Sequence, residues 1–260
     1  MKIRIVQWNI RINCDVDAIS ERIRTAKKNS SIVHLQEVSE SAFEILCKKL
    51  DPDGCAFSLI HRPPGRNEGK NRKMGVATLT FGSEIVDEFL IERSIFPERA
   101  LVTEIEIDNA KVRTLNFHSL TGVDYKKAKS SNFASIADFL ESDDLDFMCC
   151  DANEPKVDSM LETEVEFFDN RDKGRCAAMI FGSNSRHALL DSYKTHLQAV
   201  GAEVKASPLA TSYLAAGQPR RYDHIFHAPR WKVIAMSYDY DSAIKASSDH
   251  AIVIADFCHL

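Results

Sequence analysis

Six segments of this 260-residue chain place a residue able to bind a metal or move a proton at, or next to, one end of an apolar, strand-like run. They carry Asn9, Glu37, His118, Asp151 followed by Asn153, Asp223, and Asp249 with His250. A single carboxylate or imidazole at a strand end can face water at little cost and needs no function. Six such ends along one sheet edge converge in space, and converging carboxylates repel until a proton or a hard cation neutralises them. Glu, Asp and Asn are oxygen donors, so the set points to Mg²⁺ or Mn²⁺. No Cys-x-x-Cys or His-x-x-x-His spacing is present to suggest zinc.

The elements that must hold these residues alternate at first between strand and helix. A strand from Ile3 to Ile10 precedes Asp15, which reads as a helix N-cap ahead of Val16, Ile19, Ile23 and Ala26 at helical spacing. A second strand, Ile32 to Glu37, leads to a helix from Glu40 to Leu50, and the β-α-β-α opening favours an α/β class. Residues His61 to Lys73 read as a loop. Short strands follow at Gly75–Phe81, Glu84–Ile91, Ala100–Ile107 and Lys111–His118, close enough together to predict antiparallel hairpins, with Asp108-Asn109 as one turn. A helix from Tyr125 to Glu141 precedes the strand Asp146–Asp151. Residues 156–190 give no clear pattern, a helix is expected within Ala188 to Val200, and strands around Tyr222–His227 and His250–Phe257 close the chain. No linker-like stretch or repeat divides it, so residues 1–260 are expected to form a single domain.

Composition bounds the function. The chain is 44% hydrophobic, enough for a sizeable core, and has too few Gly and Pro residues for a fibrous or low-complexity protein. No apolar stretch approaches the ~20 residues of a membrane span. Seven cysteines, an odd number, with no signal-like segment before the first apolar run, predict reduced thiols and a cytoplasmic protein. These cysteines are expected to act as small buried hydrophobes, and the remaining histidines as ordinary sheet or surface residues. The net charge of −5 argues at face value against a polyanionic partner. Its distribution argues otherwise. Two acidic runs, 138–146 and 158–169, hold ten acids and no base, whereas residues 61–73 carry Arg62, Arg66, Lys70, Arg72 and Lys73 against Glu68. Lys126, Lys127 and Lys129 follow His118, and Arg220 and Arg221 precede Asp223. Bases near a metal site would neutralise a polyanionic backbone such as that of a nucleic acid, so Arg62, Arg66, Lys70, Arg72, Lys73 and Arg221 are candidate substrate contacts.

Six blocks together resemble the endonuclease/exonuclease/phosphatase superfamily, the deoxyribonuclease I-like proteins. They are Gln7-Trp8-Asn9-Ile10, Leu35-Gln36-Glu37-Val38, Asn116-Phe117-His118-Ser119-Leu120, Cys150-Asp151-Ala152-Asn153-Glu154-Pro155, Arg221-Tyr222-Asp223-His224-Ile225-Phe226 and Ser248-Asp249-His250-Ala251-Ile252-Val253. They follow the family's order from residue 7 to residue 253, and Thr211-Ser212-Tyr213 fits a Thr-aromatic element of the family. The resemblance implies a four-layer sandwich of two mostly antiparallel sheets with helices on both outer faces, and a metal-dependent phosphoesterase site at one edge. It implies Glu37 as the main metal ligand with Asn9 beside it and Asp249 near the ion. Asp151 would orient or deprotonate the attacking water, and Asn153 would hold that water or the phosphate. His250, its ring held by Asp223, and His118 would face the phosphate. Such a set suits phosphodiester hydrolysis, in which a divalent cation and imidazolium donors offset the charge that builds on the phosphate oxygens. The expected activity is that of a nuclease or nucleic-acid phosphodiesterase using Mg²⁺ or Mn²⁺, without an obligate protein partner. A phosphatase of small molecules or lipid headgroups, and a non-catalytic scaffold of the same fold, are the alternatives. The residues do not choose between DNA and RNA.

Overall fold

The computed structural model describes residues 1–66, 68–69, 72–122, 126–168, 172–203 and 206–260. The strands are β1 (Lys2–Asn9), β2 (Ser31–Val38), β3 (Gly54–Phe57), β4 (Gly75–Phe81), β5 (Glu84–Leu90), β6 (Ala100–Ile107) and β7 (Ala110–His118), then β8 (Phe147–Asp151), β9 (Leu190–Asp191), β10 (Tyr213–Ala215), β11 (Gln218–Arg220), β12 (Asp223–His227), β13 (Trp231–Asp239) and β14 (Ile252–His259). Helices α1 (Val16–Ala26), α2 (Glu40–Leu50), α3 (Ser58–His61), α4 (Lys126–Ser142), α5 (Arg175–Phe181), α6 (Ser192–Ala199) and α7 (Tyr240–Lys245) lie between them. One six-stranded sheet has the order β13-β14-β1-β2-β4-β3, a second has β5-β6-β7-β8-β12-β9, and β10-β11 is a separate hairpin.

Side-chain alternation along each strand builds the layers. On β1, Val6 and Trp8 point outward to Ile19 and Ile23 of α1 and to Leu46 of α2, while Ile3 and Ile5 point inward. On β8, Met148 and Cys150 meet Phe133, Ile136 and Leu140 of α4, while Phe147 and Cys149 point inward. The inward residues of both sheets, with Trp231, Val253 and Phe257, form the apolar layer between them. The result is the four-layer α/β sandwich that the sequence predicted. Asp15 caps α1 as expected, accepting from the N–H groups of Asp17 and Ala18. No described helix is long and apolar enough to cross a membrane.

The expected hairpins form between β5 and β6 and between β6 and β7, the latter through Asp108 and Asn109, both at positive φ. The expected pairing of Gly75–Phe81 with the strand after it is corrected. Both edges of β4 are taken, by β2 and β3, so β5 crosses to the other sheet. Gly82 makes that crossing at φ +73, where a Cβ would come within 2.1 Å of the Asn29 carbonyl oxygen. The unreadable stretch 156–190 contains α5, a bridge between Val157 and Glu166, and a short 3-10 turn at Glu162–Glu164.

Candidate active site

The inward row of each sheet turns from apolar to polar at the same end. On β1 the row reads Ile3, Ile5, Gln7, Asn9, and on β8 it reads Phe147, Cys149, Asp151. Register does the rest in the second sheet. Asp151 lies beside His118 of β7 on one side and opposite Asp223 of β12 on the other. Glu37 arrives from the first sheet on a β-bulge, with φ +56, where the β2–β4 pairing slips between Leu35 and Val38. His250 enters just before β14, its backbone N–H held by the Ser248 hydroxyl at 3.1 Å and its carbonyl by Trp8 Nε1 at 2.9 Å.

These side chains interlock. Asn9 Nδ2 donates to Asp151 Oδ2 at 2.9 Å and to Glu37 Oε1 at 3.3 Å, while the Ile12 N–H donates to Glu37 Oε2 at 3.0 Å. The backbone N–H of Asn153, itself at φ +50, donates to Asp151 Oδ1 at 3.0 Å. His250 Nδ1 is 2.8 Å from Asp223 Oδ2, and its Nε2 is 3.7 Å from Asp151 Oδ2. His118 Nε2 lies 3.5 Å from Asp151 Oδ2 and 3.8 Å from Glu37 Oε1. Asp249 is half-buried beside this group, and its charge acts on His250 and on the Tyr213 phenol.

The two histidines are driven in opposite directions. Burial alone would strip the proton from His250, but the Asp223 and Asp151 carboxylates outweigh it and raise the imidazole to about 10. Burial, then the positive charges of Arg99 and His250, hold His118 well below the usual imidazole range. Arg99 Nη1 lies 3.1 Å from His118 Nδ1, and a guanidinium can only donate. His118 Nδ1 is therefore the acceptor, and its proton sits on Nε2, facing Asp151 and Glu37. Asp151 is also perturbed. Burial raises its carboxyl, and Asp223 adds to that against the opposing pull of His250.

Asp151, Asp223 and His250 each offer a ligand atom, and these atoms lie within 4.8 Å of one another, close enough to share a metal ion. The trio differs from the expected Glu37, Asn9 and Asp249. Two of its members are already hydrogen-bonded to each other, while Glu37 stands 23% exposed at the mouth of the site. Asn9 presents its amide N–H₂ between the Glu37 and Asp151 carboxylates, where a positive charge belongs, and its oxygen accepts from the Arg11 N–H at 2.9 Å. Three carboxylates around one imidazolium leave an excess of negative oxygen, which fits a hard divalent cation.

The substrate-contact residues fare differently. Arg221 is buried at 2% exposure, its guanidinium paired with Asp158 at 2.8 Å and Asp191 at 2.8 Å, so its expected contact with substrate is corrected to an interior ion cluster. Arg72 pairs with the fully buried Glu98 at 2.9 Å and stacks on Phe96, and Arg62 joins Glu68 at 2.9 Å. Arg66 and Lys73 are exposed. Lys70 falls outside the described residues. Gln7 and Arg99 were not singled out as site residues in the sequence, and Tyr213 entered only within the Thr-aromatic element. Gln7 Nε2 donates to Asp223 Oδ1 at 2.9 Å, and Tyr213 stacks on His250 with ring centroids 4.6 Å apart. Gln7 could have been found by parity with Asn9, two residues on. Arg99 could not, because it reaches His118 from a separate turn.

The fold is that of the endonuclease/exonuclease/phosphatase superfamily. No protein-family model matches the sequence, and none of the curated proteins does. Among solved structures, the human Nocturnin catalytic domain with bound sulfate shares 17% identity at a TM-score of 0.67, over 100% of this chain and 95% of that one. TDP2 from D. rerio, complexed with single-strand DNA product, shares 12% identity at a TM-score of 0.66 over 99% of both chains. An endonuclease/exonuclease/phosphatase protein from Bacteroides vulgatus shares 16% identity at a TM-score of 0.65 over 100% of both.

Proposed function

We propose that this chain is a Mg²⁺- or Mn²⁺-dependent phosphodiesterase of the cytoplasm that cleaves nucleic acid by attack of water on phosphorus. One observation carries the reading. A charged His250, a neutral His118 and a perturbed Asp151 converge with Glu37 and Asn9 at one end of the inter-sheet layer. Glu37, with Asn9 and Asp249 nearby, would hold the cation, which when bound supplies charge neutralisation and Lewis acidity at the phosphate. Asp151, whose carboxyl is raised toward neutrality, takes the proton of the attacking water, and Asn153 orients that water or a phosphate oxygen. His250, kept protonated by Asp223, donates to the charge that builds on phosphorus. His118 donates from Nε2 without changing its own charge. The single-strand DNA product in the D. rerio TDP2 structure, together with exposed Arg66 and Lys73 here, favours a nucleic-acid substrate. All seven cysteines are free thiols, which suits a reducing compartment.

The test is a panel of single- and double-stranded DNA, RNA, 5′-tyrosyl DNA and inositol phosphates, each with Mg²⁺, Mn²⁺ or excess chelator. Cation-dependent cleavage of a nucleic-acid substrate is expected, and E37Q should lose at least ~10²-fold in rate while melting close to wild type. Turnover of inositol phosphates alone would move the protein to the small-molecule phosphatases. Full turnover by E37Q would remove Glu37 from the metal site.

A further inference from the structure

Helix α4 buries a lysine that the chemistry above does not use. Lys129 is 1% exposed, its ammonium lies 2.8 Å from Glu154 Oε1, and it is flanked by the rings of Phe133 and Phe168. Desolvating two charges is seldom repaid by their attraction alone, so such a pair invites a role beyond stability. Its second hydrogen bond supplies one. Lys129 Nζ donates to the backbone carbonyl of Asn153 at 2.8 Å.

Asn153 needs that grip. Asparagine tolerates the left-handed region better than other non-glycine residues, but a turn at φ +50 still costs more than extended backbone and is kept by the groups that bond it. Its N–H is tied to Asp151 Oδ1, and its side-chain amide reaches the Ser119 carbonyl at a long 3.4 Å. The following residue is held from two more directions. His224 Nε2 donates to the Glu154 carbonyl at 3.0 Å, and the Phe168 N–H donates to Glu154 Oε2 at 3.0 Å. Among the described residues, Lys129 alone bonds the Asn153 carbonyl.

We propose that Lys129 is a positioning residue, which locks Asn153 in its left-handed turn and so aims the Asn153 amide at the water or phosphate oxygen beside Asp151. The proposal rests on the phosphodiesterase reading. It separates the two halves of the buried pair, because the hydrogen bond to the Asn153 carbonyl comes from the lysine and not from the Glu154 carboxylate.

K129M and E154Q are therefore compared by steady-state kinetics, thermal melting and ¹H–¹⁵N spectra of the Asn153 backbone and side-chain amides. K129M is expected to lower kcat roughly tenfold to a hundredfold with KM nearly unchanged, and to shift the Asn153 resonances. E154Q, which leaves the lysine-to-carbonyl bond in place, is expected to lose stability but to keep kcat within about threefold. K129Q serves as the second variant should K129M fail to fold, with the same split expected. Wild-type kcat in K129M would overturn the proposal. So would parallel losses of kcat and melting temperature in K129M and E154Q, which would make the pair purely structural. If the wild type cleaves no phosphodiester, the functional reading falls, and unshifted Asn153 resonances in K129M would then overturn the positioning role independently.

Discussion

Two histidines that face the same Asp151 oxygen do different jobs because different neighbours face their Nδ1 atoms. Asp223 accepts from His250 Nδ1 and keeps that ring positive, whereas Arg99 donates to His118 Nδ1 and keeps that ring neutral. This has a consequence for stability. A histidine whose folded value lies above its ordinary 6.5 stabilises the fold fully below 6.5 and loses that contribution as pH climbs through about 10. The metal-free protein should therefore melt at progressively lower temperature between those limits, and D223N should remove much of the slope. Melts at constant ionic strength across that range check it. A D223N slope equal to wild type would mean that Asp223 does not hold the proton on His250.

At the level of the element, irregularities in the strands do the aiming. A regular β2 would alternate Gln36 and Glu37 to opposite faces, and the bulge at φ +56 is what brings the Glu37 carboxylate to the site that Gln36 also borders. The β10–β11 hairpin plays a similar part for His250. Tyr213 pairs across an isolated bridge with His250 and stacks on its ring at an interplanar angle of 28°. Aromatic stacking of this kind is worth about 0.5–1.5 kcal/mol beyond burial. Y213L should accordingly lower kcat by roughly three- to tenfold with little change in KM, as a loosened general acid would. An unchanged kcat would show that Asp223 alone fixes the ring.

Across the whole molecule, charge is organised by pairing more than by position in the sequence. Every acid of the 138–146 run meets an arginine, with Asp138 on Arg93, Glu141 on Arg186, Asp143 on Arg113, and Asp144 and Asp146 on Arg230. Asp158 of the second run is neutralised inside the protein by Arg221. The basic loop is thinned in the same way, since Arg62 and Arg72 serve Glu68 and Glu98. Only unpaired bases can release counterions from a bound polyanion. R66A/K73A should thus lower the slope of log K against log salt by about 1.4–1.8, at roughly 0.7–0.9 per phosphate contact. Fluorescence anisotropy with labelled oligonucleotides over a salt series measures this. R62A and R72A should instead lower the melting temperature.

Much of this protein is legible without coordinates. Strand and helix periods, the Asp15 cap, the Asp108-Asn109 turn and the ordered strand-end residues from Asn9 to His250 are local features, and local sterics and hydrogen bonding determine them. The edge strand Trp231–Asp239 was missed because a bulge between Val233 and Ala235 breaks its alternation and leaves Ile234 53% exposed. The four-residue β3 is too short to show a period at all. What only the tertiary structure decided is partnership: that β4 and β5 belong to different sheets, that Arg221 serves the interior, that Arg99 sets the proton on His118 and that Lys129 holds Asn153. Sequence sets the type and face of each residue through backbone geometry, but a hydrogen bond or ion pair depends on distances between segments far apart in the chain, and those exist only once the two sheets have packed.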